Sequence, residues 1–377
     1  MMTTDKKYKI IISGGGTGGH IFPAIAIANA LVETGKIDDI LFVGAKGKME
    51  MEKIPQAGYK IIGLPVAGLQ RRITVANLTF PFKLLKSVWQ ARAVVRSFKP
   101  DVVIGVGGYA SGPTLIAANL ARIPTIIQEQ NSYAGLTNKW LAASASKICV
   151  AYSGMNKYFP EKKIILTGNP VRKNLILSPN LMSDAYKMFN LIQDKQTILV
   201  IGGSMGAKTL NETVAAHLDE LNKKSIQVLW QTGKSFYSKA KQIVKDQNAE
   251  QNISVHEFIK DMASAYAVAD VVISRAGALA IAELCVVAKP VILVPSPNVA
   301  EDHQTKNALA LVKENAAICI SDEKAQTELI PAAIRLLEDV EKQHMLKTNI
   351  ARLAKPNAAA DIAKEILRLL EDKSKHL

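Results

Sequence analysis

Residues 14–20, Gly-Gly-Gly-Thr-Gly-Gly-His, are the first stretch of the chain whose residue types suggest chemistry. Residues 8–13 before them are apolar and β-branched, which predicts a buried strand, and residues 21–32 after them predict a helix. A strand, a glycine loop and a helix in that order direct backbone N–H groups and a helix N-terminus at an anion. Glycines in such a turn also let a strand and a helix pack closely without binding anything, so both interpretations stay open at this point.

Two familiar classes of nucleotide-binding enzyme are disfavoured by the surroundings of this loop. A nicotinamide-dependent enzyme places an acidic residue at the end of its second strand to bind the ribose. Here the predicted second strand, residues 40–44, is followed by Ala45 and Lys46, while Asp38 and Asp39 lie before it. A nucleotide hydrolase needs Gly-Lys-Ser or Gly-Lys-Thr directly after the glycines, and the chain lacks that sequence there.

The strand–glycine–helix pattern recurs at residues 107–113 and 202–207, each time directly after an apolar strand. Alternation of strands and helices along the whole chain predicts the α/β class with parallel sheets. An Asn-Pro pair at residues 169–170 breaks the regular pattern between these two glycine loops. We therefore expect two Rossmann-like domains that face each other across a cleft, residues 1–168 and 172–354, followed by an amphipathic C-terminal helix.

Composition indicates a soluble globular protein with an anionic partner. The 377 residues are 48% hydrophobic and 21% charged, with a formal net charge of +14. The chain has no apolar run of about 18 residues and its first residues lack a signal-peptide core, so we expect a cytoplasmic protein. Cys149, Cys285 and Cys319 lie far apart among apolar neighbours, which indicates reduced core cysteines and predicts no metal site.

A basic and apolar segment lies between Lys53 and Pro100, where the chain has basic residues but no Asp or Glu. Its large apolar and aromatic share suits a lipid headgroup layer better than nucleic acid. Alternatively, residues 84–98 form an ordinary amphipathic helix whose apolar side faces the core, and the sequence leaves both possibilities open. The candidate membrane patch consists of Ile73, Leu78, Phe82, Leu85 and Trp89.

Residues 274–283, Ser-Arg-Ala-Gly-Ala-Leu-Ala-Ile-Ala-Glu, are the most informative stretch of the second half. A turn at Gly277 between a strand and a helix places Glu283 one to two turns into that helix. A carboxylate accepts two hydrogen bonds at once, which suits a vicinal diol such as that of ribose. An isolated helical Glu is more often a solvated surface residue, but the apolar flank here favours the diol. Gln304 and Asn307 share a helix face and suit sugar hydroxyls, although a capping region has the same composition.

In combination these motifs resemble the MurG family, the peripheral membrane glycosyltransferases of peptidoglycan synthesis. The resemblance runs from about Lys9 to the C-terminal helix. Met205 and Gln128 stand where the family usually has Gln and His, and residues 296–303 differ from the commoner form. The matching motifs, in the family's order, are residues 14–20, 107–113, 129–131 with 134–139, 168–172, 202–207 and 274–283.

The resemblance implies a glycosyltransferase fold of the B type, whose last helix, residues 355–377, crosses back to the N-terminal domain. It implies inverting transfer of N-acetylglucosamine from UDP-N-acetylglucosamine to the C4 hydroxyl of the muramyl sugar of lipid I, which is linked to undecaprenyl diphosphate. The product is lipid II, a precursor of the cell wall, and cell shape and cell division depend on that wall. UDP-N-acetylglucosamine enters as a co-substrate, and no cofactor and no essential metal are expected.

Donor-binding residues follow from the resemblance position by position. Ile259 is implied to pair the uracil through its backbone, and four residues of the first domain approach the donor from the opposite side. The implied donor-binding residues are Thr17, Gly18, Gly19 and Asn131 in the first domain, and Arg172, Ser204, Ile259, Ala278, Leu279, Ala280, Ile281, Ala282, Glu283, Gln304 and Asn307 in the second.

Such a transfer needs a base for the incoming hydroxyl and stabilisation of the departing diphosphate. Arg172, the Ser204 hydroxyl and helix N-termini can stabilise the diphosphate without a metal. His20 is the first candidate for the general base and Glu129 the second; alternatively, His20 only caps or packs the helix. The acceptor's lipid diphosphate is expected to dock between the first two glycine loops, at Gly15, Gly16, Gly107, Gly108, Tyr109 and Ser111.

Two other functions stay open from the sequence. One is a related glycosyltransferase that uses another lipid acceptor, such as diacylglycerol, and the other is a non-catalytic nucleotide- or membrane-binding scaffold. The expected partners are UDP-N-acetylglucosamine, lipid I and an anionic membrane surface, with other cell-wall synthesis proteins as further candidates and no nucleic acid. The expected location is the cytoplasmic face of the inner membrane, where the protein is held peripherally.

Overall fold

The computed structural model describes residues 7–66, 80–171, 175 and 179–375. The chain divides into two compact units, one formed by Met1–Val171 with Asn357–Leu377 and the other by Arg172–Pro356. Each unit is built on a parallel sheet covered by helices, which confirms the predicted α/β class. None of the helices in the described ranges combines the length and the apolar character that a membrane crossing requires.

The first unit contains a parallel sheet of seven strands, β1 (Tyr8–Ser13), β2 (Ile37–Ala45), β3 (Lys60–Leu64), β4 (Val102–Gly105), β5 (Thr125–Glu129), β6 (Lys147–Val150) and β7 (Ile164–Leu166). The strands lie in the order β3-β2-β1-β4-β5-β6-β7. The central strands are buried on both faces, which is why Ile10, Ile11 and Ile12 form a continuous apolar run instead of alternating with polar residues.

Helices cover both faces of this sheet: α1 (Gly18–Glu33), α2 (Glu50–Gln56), α3 (Phe80–Phe98), α4 (Ser111–Leu120) and α5 (Leu136–Leu141). On one face Ile21 and Ile27 of α1 belong to the core. On the other face the core includes Ala91 and Val95 of α3 and Leu115 of α4. The two apolar layers hold the sheet, and with it the loops at the strand ends, in place.

The second unit contains six parallel strands, β8 (Thr197–Ile201), β9 (Gln227–Gln231), β10 (Ile253–His256), β11 (Val271–Ser274), β12 (Val291–Leu293) and β13 (Ile318–Cys319), in the order β10-β9-β8-β11-β12-β13. Its helices are α6 (Pro179–Met188), α7 (Lys208–Ala216), α8 (Leu218–Lys223), α9 (Lys234–Asp246), α10 (Met262–Val268), α11 (Ala278–Val287), α12 (His303–Lys313), α13 (Ala325–Glu338) and α14 (Val340–Arg352). The core centres on Trp230, whose ring nitrogen donates a hydrogen bond to Asn211 Oδ1 at 3.0 Å.

The C-terminal helix α15 (Ala358–Lys375) belongs to the first unit. Its buried residues Ile362 and Ile366 join the same core as helix α1. Glu365 pairs with Lys147 at 2.7 Å, and both side chains are largely buried. The helix therefore completes one face of the first sheet.

Each sheet reverses its strand order at one point, between β1 and β4 in the first unit and between β8 and β11 in the second. The loops that leave the two neighbouring strands there run in opposite directions and open a crevice at the carboxyl ends. Ligands of open α/β sheets bind at such points. The first and second glycine loops follow β1 and β4, the third follows β8, and the turn at Gly277 follows β11.

Candidate active site

The first two glycine loops are in direct contact. Gly15 N–H donates to Gly107 O at 3.3 Å. Gly108 has a φ of +83°, and a Cβ at this position would lie 2.3 Å from Gly15 O. Only glycine fits at residue 108, because the left-handed backbone and the close approach both exclude a side chain.

His20 lies where these two loops meet. Its Nδ1 is 3.1 Å from Gly15 O and 3.3 Å from Thr17 Oγ1. Because a carbonyl oxygen only accepts, Nδ1 carries the proton and the lone pair of the neutral ring is on Nε2. A Cβ on Gly107 would lie 2.8 Å from His20 Nε2, so the Nε2 edge borders the second loop. In this orientation Nε2, and not Nδ1, is the ring atom that a general base would use.

Some backbone N–H groups of the first glycine loop already donate hydrogen bonds within the protein. Gly15 donates to Gly107 O, and Gly16 donates to Glu50 Oε2 at 2.8 Å. The first turn of helix α1, which begins at Gly18 and Gly19, holds no acidic residue. The N–H groups of His20 and Ile21 donate to Thr17 O at 3.1 and 3.2 Å, whereas those of Gly18 and Gly19 come before the first hydrogen bond of the helix. An anion at this loop would therefore meet Gly18 and Gly19, while Gly15 and Gly16 shape the loop.

In the second loop, Tyr109 and Ser111 have different environments. Tyr109 is 55% exposed, whereas Ser111 is fully buried. The Ser111 hydroxyl donates to Gly108 O at 3.1 Å, so it closes its own loop. Of these two predicted acceptor contacts, Tyr109 is the one that solvent reaches.

Glu129, at the end of strand β5, is buried and organises the loop that follows. One carboxylate oxygen accepts from the Asn131 N–H at 3.1 Å; the other accepts from the Gly135 N–H at 3.0 Å and from Asn138 Nδ2 at 2.8 Å. Burial raises the pKa of the Glu129 carboxyl, and the hydrogen bonds from these groups oppose the shift. Both oxygens are engaged by the loop, so the geometry favours His20 over Glu129 as the base.

Replacing Glu129 with Gln is expected to lower the Tm by several degrees, because an amide offers one acceptor oxygen and turns an NH2 group towards donors. The expected loss of about 1–3 kcal/mol corresponds to about 2–4 °C per kcal/mol in a domain of this size. Circular dichroism during heating measures the shift, with the exposed Glu161→Gln as control. Loss of turnover at an unchanged Tm would instead make Glu129 the base.

The third glycine loop, residues 202–207, is fixed against the loop that follows strand β9. Gly206 has a φ of +77°, and a Cβ there would lie 2.0 Å from Thr232 O. Ser204 and Met205, at the tip of the loop, are exposed. The loop therefore presents the Ser204 hydroxyl and the N-terminus of helix α7 at the switch point of the second sheet.

Gln231, which no sequence motif marks, links two parts of the predicted donor site. Its Nε2 donates to Gly203 O at 3.0 Å, and its Oε1 accepts from the Ile259 N–H at 2.9 Å. The N–H of Ile259, the residue that the resemblance implies for the uracil, is thus bound by Gln231 in this structure. The only sequence signal for Gln231 was its place at the carboxyl end of a buried strand.

Glu283 is half-buried on helix α11, and Tyr266 Oη donates to its Oε2 at 3.4 Å. Ile281, Leu284 and Cys285 beside it are buried, so the predicted apolar flank holds this helix in the core. Ala278, Leu279, Ala280 and Ala282, the other predicted donor-binding residues of the helix, are partly exposed. The carboxylate is thus held on a rigid helix close to the N-terminus that follows Gly277.

The two predicted amides on helix α12 support neighbouring loops. Gln304 Oε1 accepts from the Ser296 N–H at 2.9 Å. Asn307 is fully buried, and its Nδ2 lies 3.4 Å from Ala276 O, in the turn before helix α11. Asn307 therefore supports the turn before helix α11 from the protein interior, whereas Gln304 is partly exposed. The predicted site residues Ile73, Leu78 and Arg172 lie outside the described residues.

Helix α3 has two distinct apolar faces. Ala91 and Val95 pack on the sheet, whereas the larger Phe82, Leu85 and Trp89 point outward and are 75%, 68% and 73% exposed. The alternative interpretation, in which the apolar side of this helix faces the core, holds for Ala91, Val95 and Phe98 but not for Leu85 and Trp89. The outward side of helix α3, with Phe82, Leu85 and Trp89, is an unusually apolar surface for a helix of a globular protein.

Two parallel α/β units, each with glycine loops or turns at its switch point, form the B-type glycosyltransferase fold. The family model for the glycosyltransferase family 28 N-terminal domain matches residues 10–150, and that for the glycosyltransferase family 28 C-terminal domain matches residues 197–366. The chain belongs to glycosyltransferase family 28.

Curated relatives match almost end to end. A protein of Bacteroides thetaiotaomicron named UDP-N-acetylglucosamine–N-acetylmuramyl-(pentapeptide) pyrophosphoryl-undecaprenol N-acetylglucosamine transferase is 54% identical over 97% of this chain and 99% of its own. A protein of the same name from Parabacteroides distasonis is 52% identical over 98% of this chain and 100% of its own. The crystal structure of Acinetobacter baumannii MurG superimposes with a TM-score of 0.79 at 29% identity, covering 96% of this chain and 99% of that one.

Proposed function

We propose that this protein transfers N-acetylglucosamine from UDP-N-acetylglucosamine to the C4 hydroxyl of the muramyl sugar of lipid I, forming lipid II for peptidoglycan synthesis. The observation that carries the proposal is the 54% identity, over 97% of the chain, to a relative named for a transfer to this acceptor. The contact between the two glycine loops at His20 supports it, because a base beside an anion-binding helix N-terminus suits an acceptor that carries a diphosphate.

In the proposed reaction, His20 Nε2 accepts the proton of the C4 hydroxyl while its oxygen attacks the anomeric carbon of the donor sugar. A C–O bond forms with inversion as the bond from the anomeric carbon to UDP breaks, and UDP leaves with the bonding electron pair. In the second unit, Ser204, Arg172 and the N-terminus of helix α7 stabilise the negative charge of the departing diphosphate. In the first unit, the N–H groups of Gly18 and Gly19 bind the diphosphate of the acceptor.

The decisive experiment supplies purified protein with radiolabelled UDP-N-acetylglucosamine and either lipid I or diacylglycerol, and separates the lipid products. Label in lipid II with lipid I alone is the expected result. Label on diacylglycerol alone would assign the related lipid glycosyltransferase. Nucleotide binding without turnover of either lipid would favour a scaffold.

The same proposal places the protein at the cytoplasmic face of the inner membrane, held there by the outward side of helix α3. Phe82, Leu85 and Trp89 on this side are exposed, and Lys83 and Lys86 are exposed on the same helix. Apolar side chains beside cations suit the headgroup layer of anionic lipids. Such docking would bring the first unit to the lipid acceptor, where other cell-wall synthesis proteins are further candidate partners.

The double variant Leu85→Glu, Trp89→Glu is expected to lower binding to phosphatidylglycerol vesicles at least tenfold. Burial of each side chain contributes about 1.5–3 kcal/mol at most, and two carboxylates add repulsion from anionic lipid. Vesicle co-sedimentation measures the loss, and UDP affinity is expected to stay unchanged. Val340→Glu, an equally exposed apolar position on the second unit, is the matched control. Undiminished vesicle binding of the double variant would remove helix α3 from the proposal.

A further inference from the structure

Glu50, the first residue of helix α2, is buried beneath the first glycine loop, with 1% of its surface exposed. Its Oε2 accepts from the Gly16 N–H at 2.8 Å, and its Oε1 accepts from the Ala45 N–H at 2.9 Å. A Cβ at Gly15 or Gly44 would lie 2.3 or 2.6 Å from atoms of the Glu50 side chain. The first glycine loop is therefore built around a carboxylate.

A single peptide group connects this carboxylate to His20. The N–H that Glu50 binds belongs to Gly16, and the carbonyl that His20 Nδ1 binds belongs to Gly15, so the two are ends of the same planar amide. A carboxylate that accepts from the N–H shifts the electron density of the amide towards the carbonyl oxygen of Gly15. Hydrogen bonds in such a chain strengthen one another. Gly15 O is thereby a stronger acceptor for the His20 Nδ1–H.

We propose that Glu50 is a positioning residue that acts on His20 through the Gly15–Gly16 peptide. It holds the ring in the Nδ1–H tautomer and makes Nε2 a stronger base, as a carboxylate does when it binds a catalytic histidine directly. When Nε2 takes the proton of the acceptor hydroxyl, the positive ring is stabilised by Gly15 O and, beyond it, by the Glu50 charge. Glu50 takes no proton in this step. The inference rests on the proposed function only in that His20 serves as the base.

Other charged or titratable groups lie on the elements that pack around the N-terminal part of helix α1. Tyr109 is on the second glycine loop, and Glu129, at the end of strand β5, directs its oxygens to its own loop. Asp361 and Lys364, on the first turns of helix α15, are exposed. Among the hydrogen bonds described for these elements, only that of Glu50 reaches the peptide that binds His20.

The first test compares pH profiles of lipid I turnover for the wild type, Glu50→Gln and Glu52→Gln. Glu52 is the matched control, because it lies on the same helix and its exposed carboxylate bonds only Lys53 and Gln56. Glu50→Gln is expected to lower kcat about tenfold and to move the acidic limb of the profile to lower pH by roughly half a unit. Glu52→Gln is expected to change neither. A Glu50→Gln profile that keeps its limb would overturn the inference.

The second test needs no activity and no variant of Glu50. In wild-type protein labelled with ¹⁵N-histidine, with the His20 signals assigned through His20→Asn, the neutral ring is expected as the Nδ1–H tautomer. Free histidine prefers Nε2–H, so finding that tautomer at His20 overturns the inference even if Glu50→Gln fails to fold. Absence of lipid I turnover by the wild type would contradict the proposed function, whereas an Nε2–H tautomer would contradict the link between Glu50 and His20.

Discussion

Replacing His20 with Ala is expected to lower kcat with lipid I by roughly 10²–10⁴-fold and to leave UDP affinity unchanged. The reason is that His20 Nε2 borders the second glycine loop, while its Nδ1 proton is fixed by Gly15 O. The groups proposed to bind UDP are mainly in the other unit, so loss of the ring removes proton transfer without removing the donor. Steady-state turnover and calorimetric titration with UDP measure the two effects.

His217→Ala is the matched control for this variant. His217 also binds a backbone carbonyl through Nδ1, Thr213 O at 2.9 Å, but it lies in the second unit, at the C-terminal end of helix α7. Turnover of this variant should equal that of the wild type. If His20→Ala kept full turnover, His20 would be a packing residue at its helix. If it lost UDP affinity instead, the assignment of donor binding mainly to the second unit would be wrong.

The glycine loops could be predicted from the sequence because their constraints are local. A left-handed backbone or a close backbone contact permits little besides glycine. Both constraints apply at Gly108 and Gly206, so the residue type alone indicates a tight loop there. Parallel strands can also be recognised in the sequence, since burial on both faces produces continuous apolar runs. The fold class and the loops at the switch points follow from these two rules.

Glu50 and Gln231 could not be predicted in this way. Glu50 lies in a segment rich in charged residues, and its partner Gly16 is 34 residues away in the chain. Gln231 ends an apolar strand, but its partners Gly203 and Ile259 are each 28 residues away. The roles of such side chains depend on which strands become neighbours, and periodicity within one strand or helix carries no information about that. The sequence thus shows the loops that face a ligand more clearly than the side chains that hold those loops.

Replacing Glu283 with Gln is expected to raise the Kd for UDP about tenfold to a hundredfold. The carboxylate accepts two hydrogen bonds from a diol, whereas an amide offers one acceptor oxygen, and a hydrogen bond to a charged group contributes about 1.5–3 kcal/mol. Tyr266 Oη, 3.4 Å from Glu283 Oε2, helps hold the carboxylate in place. Calorimetric titration measures the change, and Glu328→Gln, which removes an exposed carboxylate from helix α13, is the control.

A ribose analogue makes the role of Glu283 specific. If the carboxylate binds both ribose hydroxyls, 2′-deoxy-UDP should already lack one of the two hydrogen bonds in the wild type. The Glu283→Gln substitution should then cost less affinity with 2′-deoxy-UDP than with UDP, because the two changes remove a shared interaction. An equal loss for both nucleotides would show that Glu283 acts on another part of the donor or only on the fold of helix α11. A smaller loss with the deoxy compound ties this carboxylate, and so the turn at Gly277, to the nucleotide's sugar.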